Sequence, residues 1–196
     1  MVEGCECIVF RERPAGYCLE ARGKRLKAMK IVIVNGPNLN LLGRREPSIY
    51  GTKSMEQVLV DIQRAYPDVH FEYRQSNHEG DLIDWVQSYG LVSLESACLQ
   101  AVDGRSAMPV DRPMGCSRVV KGIILNAGGY THTSIALRDA VACTEVPVVE
   151  VHISDITKRE AFRQVSLLTD VCAHSIMGHG TDGYQEAVEW IINHNK

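Results

Sequence analysis

Apolar residues recur along this chain in two alternating rhythms. Residues 30–35 (KIVIVN), 121–126 (KGIILN) and 147–153 (PVVEVHI) are short β-branched runs of the kind that form buried strands. Residues 69–75 (VHFEYRQ) alternate apolar and polar positions, and 171–177 carry the material for a fifth strand. Between these runs the spacing becomes helical. Met55, Val58, Leu59 and Ile62 fall on one face, introduced by Ser54-x-x-Gln57 as a capping box and ended by Pro67. Residues 79–89 repeat the pattern with Leu82, Ile83 and Val86. Further helices are predicted over 134–143 (SIALRDAVAC), in a short stretch around 158–163, and over 184–194.

Strand and helix thus alternate five times, which predicts an α/β protein built on a parallel sheet. For five parallel strands the expected arrangement is flavodoxin-like, with strand order 2-1-3-4-5 and helices on both faces. Two segments stand outside the rhythm. Residues 1–29 are expected to be an extension of unknown role. Residues 90–120, rich in Ser, Gly, Pro and Met, are too long for a structureless link and are expected to be an insertion in a single catalytic domain spanning 30–196. Both lead into the N-terminal edge of a strand, whereas ligands of such sheets bind beyond the carboxyl edge. Both should therefore hang from the face opposite the chemistry.

Composition changes this picture little. The chain has 196 residues, 45% hydrophobic and 23% charged, which suits one globular domain with a real core. A net charge of -3 gives no reason to expect nucleic acid or an anionic membrane as partner. No apolar run approaches the roughly 18 residues of a membrane span. The apolar run Cys7-Ile8-Val9-Phe10 is too short for a secretory signal, so a cytoplasmic protein is expected. Seven cysteines, an odd count, argue against a fully paired disulfide framework. Cys143 and Cys172 lie in apolar patterns and are expected to be small core residues. Cys5-x-Cys7 with Cys18 leaves a metal site as an alternative to reduced thiols, on a spacing of low specificity.

Candidate chemistry gathers at the predicted carboxyl edge. Strand one ends in Asn35-Gly36-Pro37-Asn38, strand three in Asn126-Ala127-Gly128-Gly129 with Thr131-His132-Thr133 beyond it, and strand four in Glu150-Val151-His152-Ile153-Ser154. Three neighbouring strands deliver amides, imidazoles and a carboxylate to one rim, which describes an active-site crevice. Glu150 and His152 are two apart on a strand and share a face. A carboxylate beside an imidazole fixes its tautomer and favours the charged form, as a general acid requires. A buried pair that only satisfies itself has the same pattern. Metal ligation by His132, Glu150 and His152 lacks any supporting spacing. Residues 42–51 (LGRREPSIYG) form a glycine-flanked loop with two arginines and a tyrosine. It is either a lid, in which arginine favours a tyrosinate base, or a solvated basic loop. Gly178-His-Gly-Thr-Asp-Gly183 matches G-x-G-x-x-G, but no strand follows its helix; a tight strand-to-helix turn is expected instead of a nucleotide site.

Taken together, NGPNLNLLGRREPSIYG, QSNHEGDLIDW, ILNAGGYTHTSIALRDA and EVHISDITKREAFR resemble, in order, the type II 3-dehydroquinate dehydratases. The resemblance runs from about Met29 to Asn195, apart from 90–120. It implies dehydration of 3-dehydroquinate to 3-dehydroshikimate in the shikimate pathway, by anti elimination through an enolate, without metal or organic cofactor. Tyr50 would be the base that takes the C2 proton, with Arg45 holding it as phenolate. Asn38 would stabilise the enolate oxygen, and His152 would protonate the departing C1 hydroxyl with Glu150 behind it. Asn126, His132 and Arg163 would bind ring hydroxyls, and Ile153 and Ser154 the carboxylate. Asp139 matches a residue that reaches a neighbouring subunit's site, in a homo-oligomer of trimers, usually a dodecamer.

Residues 1–29 and 90–120 depart from the family pattern and put that assembly in question, though not the chemistry. His78 and Glu79 match the entry to the second helix and are expected to be structural. The competing classes are a catalytically impaired ligand-binding homologue, a quinate-catabolic enzyme and a metal-dependent lyase. An impaired homologue should have lost Tyr50 or His152, and both are present.

Overall fold

The computed structural model describes residues 29–43, 52–91 and 120–194. Five strands form one parallel sheet: β1 (Lys30–Asn35), β2 (His70–Gln75), β3 (Val120–Asn126), β4 (Val148–His152) and β5 (His174–Met177). Their order is β2-β1-β3-β4-β5, as the alternation of elements implies. Among the described residues four helices cover the sheet: α1 (Met55–Ala65), α2 (Glu79–Gly90), α3 (Ile135–Ala142) and α4 (Gly183–His194).

Alternation along the strands sorts the core into two layers. Ile31 and Ile33 of β1, Ile124 of β3, and Val149 and Val151 of β4 face α1 and α4, against Val58, Leu59, Ile62, Tyr184, Val188 and Ile191. Val32 and Val34, Ile123 and Leu125, and Val148 face the other way, against Leu82 and Val86 of α2 and Leu137 and Val141 of α3. The central strands are buried on both faces, which explains their continuous apolar composition. β2 lies at the edge and none of its residues is fully buried. Its partly buried Glu72 takes Lys30 at 2.5 Å and Arg74 at 2.6 Å, with Tyr89 donating to the same carboxylate. A charged cluster of this kind blunts an edge strand against unwanted pairing.

Several boundaries differ from the expected ones. Only His174–Met177 of 171–177 is strand. The N–H groups of Val171 and Cys172 both turn back to the Leu168 carbonyl at 3.0 Å, and the ladder begins with Ala173 donating to Val148 at 2.8 Å. The stretch around 158–163 is not one helix but two single 3₁₀ turns, Ile156–Lys158 and Ala161–Arg163, separated by extended backbone at Arg159. The capping box is half formed: Ser54 Oγ accepts from the Gln57 N–H, while the Gln57 side chain reaches forward to Asp61. Cys143 follows the last turn of α3 and is exposed, so it is not a core residue, whereas Cys172 is partly buried and packs against the core layer of α2 and α3. Gly178 and Gly180, at φ 83° and 61°, make the turn from β5 into α4 that the glycine motif predicts.

Tyr184 ties this frame together from inside. Its hydroxyl donates to Asn35 Oδ1 at 2.9 Å and accepts from Asn126 Nδ2 at 3.0 Å, joining the ends of β1 and β3 to α4. All three side chains are buried. Tyr184→Phe leaves the Asn35 acceptor without that donor, and should lower unfolding free energy by about 1–3 kcal/mol in urea denaturation. An unchanged midpoint would show that these amides find other partners.

Candidate active site

The carboxyl ends of β1, β3 and β4 meet at one rim. Asn35 and Asn126 are register partners, and Leu125 pairs with Glu150. Gly36 donates to the Asn126 carbonyl at 2.8 Å. A Cβ on Gly36 would lie 2.4 Å from the Ala127 carbonyl oxygen, so the two strand exits approach as closely as only glycine allows. Beyond it Asn38 takes a left-handed conformation, φ 68°, with its N–H held by Asn77 Oδ1 at 2.9 Å. Its side chain makes no cap bond and lines a cavity of about 150 Å³. The lining also includes Leu41 and Leu42, Asn126 and His132, and His152, Ile153, Ser154, Arg159 and Arg163.

His152 is 6% exposed and presents its ring to this cavity from the end of β4. Glu150 does not line the cavity; it is wholly buried behind His152. Glu150 Oε1 lies 2.8 Å from His152 Nε2. That approach is out of line with the ring N–H, so Nε2 has no directed hydrogen-bond partner, and the contact is an ion pair only when the ring is protonated. Around the carboxylate stand four hydroxyls. Thr131 and Ser166 donate to Oε1 at 2.6 and 2.7 Å, and Thr169 and Ser175 to Oε2 at 2.8 and 2.6 Å. Burial alone would push the Glu150 carboxyl up. The His152 ring and the Ser166 and Ser175 hydroxyls outweigh burial and hold it well below the usual carboxylate range.

His132 Nδ1 lies 2.7 Å from the Val165 carbonyl. A carbonyl only accepts, so Nδ1 carries a proton and Nε2 of the neutral ring is left as an acceptor for a ligand hydroxyl. Asn126 spends its Oδ1 on the Gly128 N–H at 3.2 Å and one amide proton on Tyr184, leaving one proton for a ligand. Arg159 reaches Ser154 Oγ at 3.3 Å and Glu160 at 3.4 Å, and with Arg163 makes one side of the cavity cationic. Amides, imidazoles and guanidinium groups around one small cavity suit a polyhydroxylated anion.

Seven residues singled out in the sequence meet here: Asn38, Asn126, His132, His152, Ile153, Ser154 and Arg163. Glu150 stands directly behind them. Asp139 does not join; it is on the exposed side of α3 with its side chain 68% accessible, near Arg138. Tyr50 and Arg45 lie outside the described residues. The described residues flanking them do touch: a Cβ on Gly43 would lie 3.0 Å from the Thr52 carbonyl, beside Leu42 on the cavity wall. Arg159 and the four hydroxyls were not singled out by sequence. Arg159 has the pattern of any arginine in a polar turn, and the hydroxyls are scattered over three segments. Among the described residues no group of three His, Cys, Asp or Glu side chains is placed to hold a metal ion, and no helix is long and apolar enough to cross a membrane.

Comparison with known proteins points the same way. The family model described as Dehydroquinase class II matches residues 29–101 and 107–192. The 3-dehydroquinate dehydratase of Halothermothrix orenii is 43% identical over 166 residues, covering 84% of this chain and 94% of that protein. That of an Exiguobacterium species is 44% identical over 167 residues, covering 85% and 96%. The crystal structure of type II dehydroquinase from Butyrivibrio crossotus superposes with a TM-score of 0.64 at 36% identity, over 84% of this chain and 97% of that one.

A carboxyl whose titration is depressed in the folded state adds stability that is complete above its ordinary value of 4.5. That stability drains away as pH falls through this value towards the lower folded-state one. Glu150→Gln should therefore cost about 3–5 kcal/mol near neutral pH. Measured by urea unfolding, the gap to wild type should stay level from about pH 7 to 5 and narrow below about pH 4.5. A gap independent of pH would mean that Glu150 is not ionised in the folded protein.

Proposed function

The chain belongs to the class II dehydroquinase family, and from that membership we infer that it is a 3-dehydroquinate dehydratase, a hydro-lyase of the shikimate pathway. The observation that carries the reading to the site is His152, held by a buried carboxylate and facing a cavity lined by amides and arginines.

In the mechanism we propose, Tyr50 removes a proton from C2 of 3-dehydroquinate, and the C2–H electrons move onto the C3 oxygen as an enolate. Asn38 stabilises that oxygen, and Arg45 favours the tyrosinate. The enolate electrons then return to form the C1–C2 double bond as the C1–O bond breaks. His152 protonates the departing hydroxyl, which leaves as water. Glu150 positions His152 and balances its charge. Asn126, His132 and Arg163 bind ring hydroxyls, and the backbone at Ile153 and Ser154 with the Ser154 hydroxyl holds the carboxylate. Base and acid thus belong to different elements, a loop and a strand end, which suits removal from opposite faces of one ring. The close approach of Gly43 and Thr52, next to Leu42 on the cavity wall, supports a role for Arg45 and Tyr50 at this site.

We further assign the enzyme to the cytoplasm as a trimer-based homo-oligomer, a dodecamer by its resemblance, with Asp139 contributing to a neighbour's site. Exposure of Asp139, and of the large apolar side chains Ile135, Phe162 and Val165 on the segments carrying His132 and Arg163, supports a covering subunit. Residues 1–29 and 90–120 are accessory in this reading; both attach where β1 and β3 begin, at the edge opposite the cavity.

The test is purified protein mixed with 3-dehydroquinate, following the ultraviolet absorbance of the conjugated enone with and without chelator. Product formation that chelator does not slow is expected, and no product from folded protein would overturn the reading. Tyr50→Phe should lower kcat by at least about 100-fold with the fold intact, the scale of a lost catalytic base. Near-normal turnover in that variant would overturn the assignment of the base.

A further inference from the structure

The cage around Glu150 is more than a way of burying a polar group. Its oxygens accept from four hydroxyls, Thr131 and Ser166 at Oε1 and Thr169 and Ser175 at Oε2, and His152 Nε2 stands 2.8 Å from Oε1. The hydroxyls come from three places in the fold. Thr131 lies in the turn after β3, Ser166 and Thr169 in the connection from β4, and Ser175 on β5, where it is the register partner of Glu150. Backbone bonds stitch these places together, with Leu167 N–H donating to the Thr131 carbonyl at 2.8 Å.

Proton accounting shows what the cage accepts. Each hydroxyl has one proton and lies within donating distance of the carboxylate, and Thr131 Oγ1 and Ser166 Oγ also lie 3.0 Å apart. Ser166 Oγ also accepts the Leu168 and Thr169 N–H groups, at 3.0 and 3.2 Å, so both its lone pairs are filled. A protonated Glu150 would therefore face donors with a donor of its own, and Ser166 could not accept from it. The cage fits the charged carboxylate and disfavours the neutral acid.

We propose that Thr131, Ser166, Thr169 and Ser175 are positioning residues for the dehydration: by keeping Glu150 ionised, they keep the proton it shares with its neighbour on His152. The inference rests on the reading of His152 as general acid. The Glu150–His152 pair carries one proton when active, and that proton serves the reaction only on the ring. Weakening the cage destabilises the carboxylate, and the proton passes from His152 to Glu150. Among the described residues the Cys172 thiol ahead of β5 also feels the Glu150 charge. It is pushed up by burial and by the Glu150 charge, and so stays neutral and competes for no proton. Arg159 and Arg163 add positive charge on the cavity side of His152.

The experiment compares wild type, Ser175→Ala, Thr169→Val and their double variant with Ser175→Thr and Thr169→Ser, which keep the hydroxyl. kcat and KM for 3-dehydroquinate are measured from about pH 5 to 9, across the range in which a histidine-based acid operates. The hydroxyl-less variants should lose about tenfold or more in kcat, part of the ~10²–10⁴ a positioned proton donor contributes, with KM within about threefold. Their pH profile should shift relative to wild type, because Glu150 then competes with His152 for the proton the pair carries. The hydroxyl-keeping pair should follow wild type. A pH profile that does not shift, or equal losses in the hydroxyl-keeping pair, would overturn the proposal.

Infrared difference spectra against Glu150→Gln read the carboxyl directly and need no turnover. A protonated-acid band near neutral pH in the double variant, absent from wild type, is expected; identical spectra would overturn the proposal. Should the double variant not fold, Ser175→Ala alone carries both readouts. Wild-type protein that shows the expected spectra yet forms no product would count against the dehydratase reading, not against the cage.

Discussion

A carboxylate buried without compensation costs several kcal/mol, and much of this site is organised around the one at Glu150. Its charge is sustained by hydroxyls from three separate segments and by the ring of His152. Those donors require β5 beside β4, the turn after β3 folded back over the sheet, and the connection from β4 laid against both. Satisfying one charge therefore fixes where His152 stands, and with it one wall of the cavity. The position of His152 is built into the sheet rather than into a loop.

The opposite face of the sheet supplies a second anchor of different character. Asn35, Asn126 and Tyr184 form a neutral, hydrogen-bonded cluster under the rim, next to the close approach at Gly36. Asn126 belongs to that cluster and to the cavity lining at once, so it presents a committed orientation to a ligand. Charged network on one face and neutral network on the other converge at the strand ends. A polyhydroxylated ring acid is thus met by groups whose directions are already set, which limits the ordering a ligand must cause.

Much of this frame is legible in the sequence. β-branched runs alternating with helical spacing predict five parallel strands, and their order follows. The i, i+2 spacing of Glu150 and His152 is enough to put both on one face. What the sequence conceals is tertiary. Thr131, Ser166, Thr169 and Ser175 are ordinary hydroxyl residues, and only the pairing of β5 with β4 and the fold of the intervening connections gathers them. Val171 and Cys172 look like strand because they are apolar, yet their N–H groups are spent on Leu168. Gln57 has the right spacing for a capping box but takes a nearer partner in Asp61. Arg159 could not be told from its solvated neighbours until the turns around it were in place.

The central claim is that His152, so held, acts only on the leaving hydroxyl, while a separate group removes the C2 proton. The direct measurement is proton NMR of 3-dehydroquinate in deuterium oxide with His152→Ala. The account predicts exchange of the C2 hydrogen with solvent while formation of the enone is lost, because the enolate still forms and cannot expel its hydroxyl. Loss of exchange together with elimination, or elimination at the wild-type rate, would contradict it.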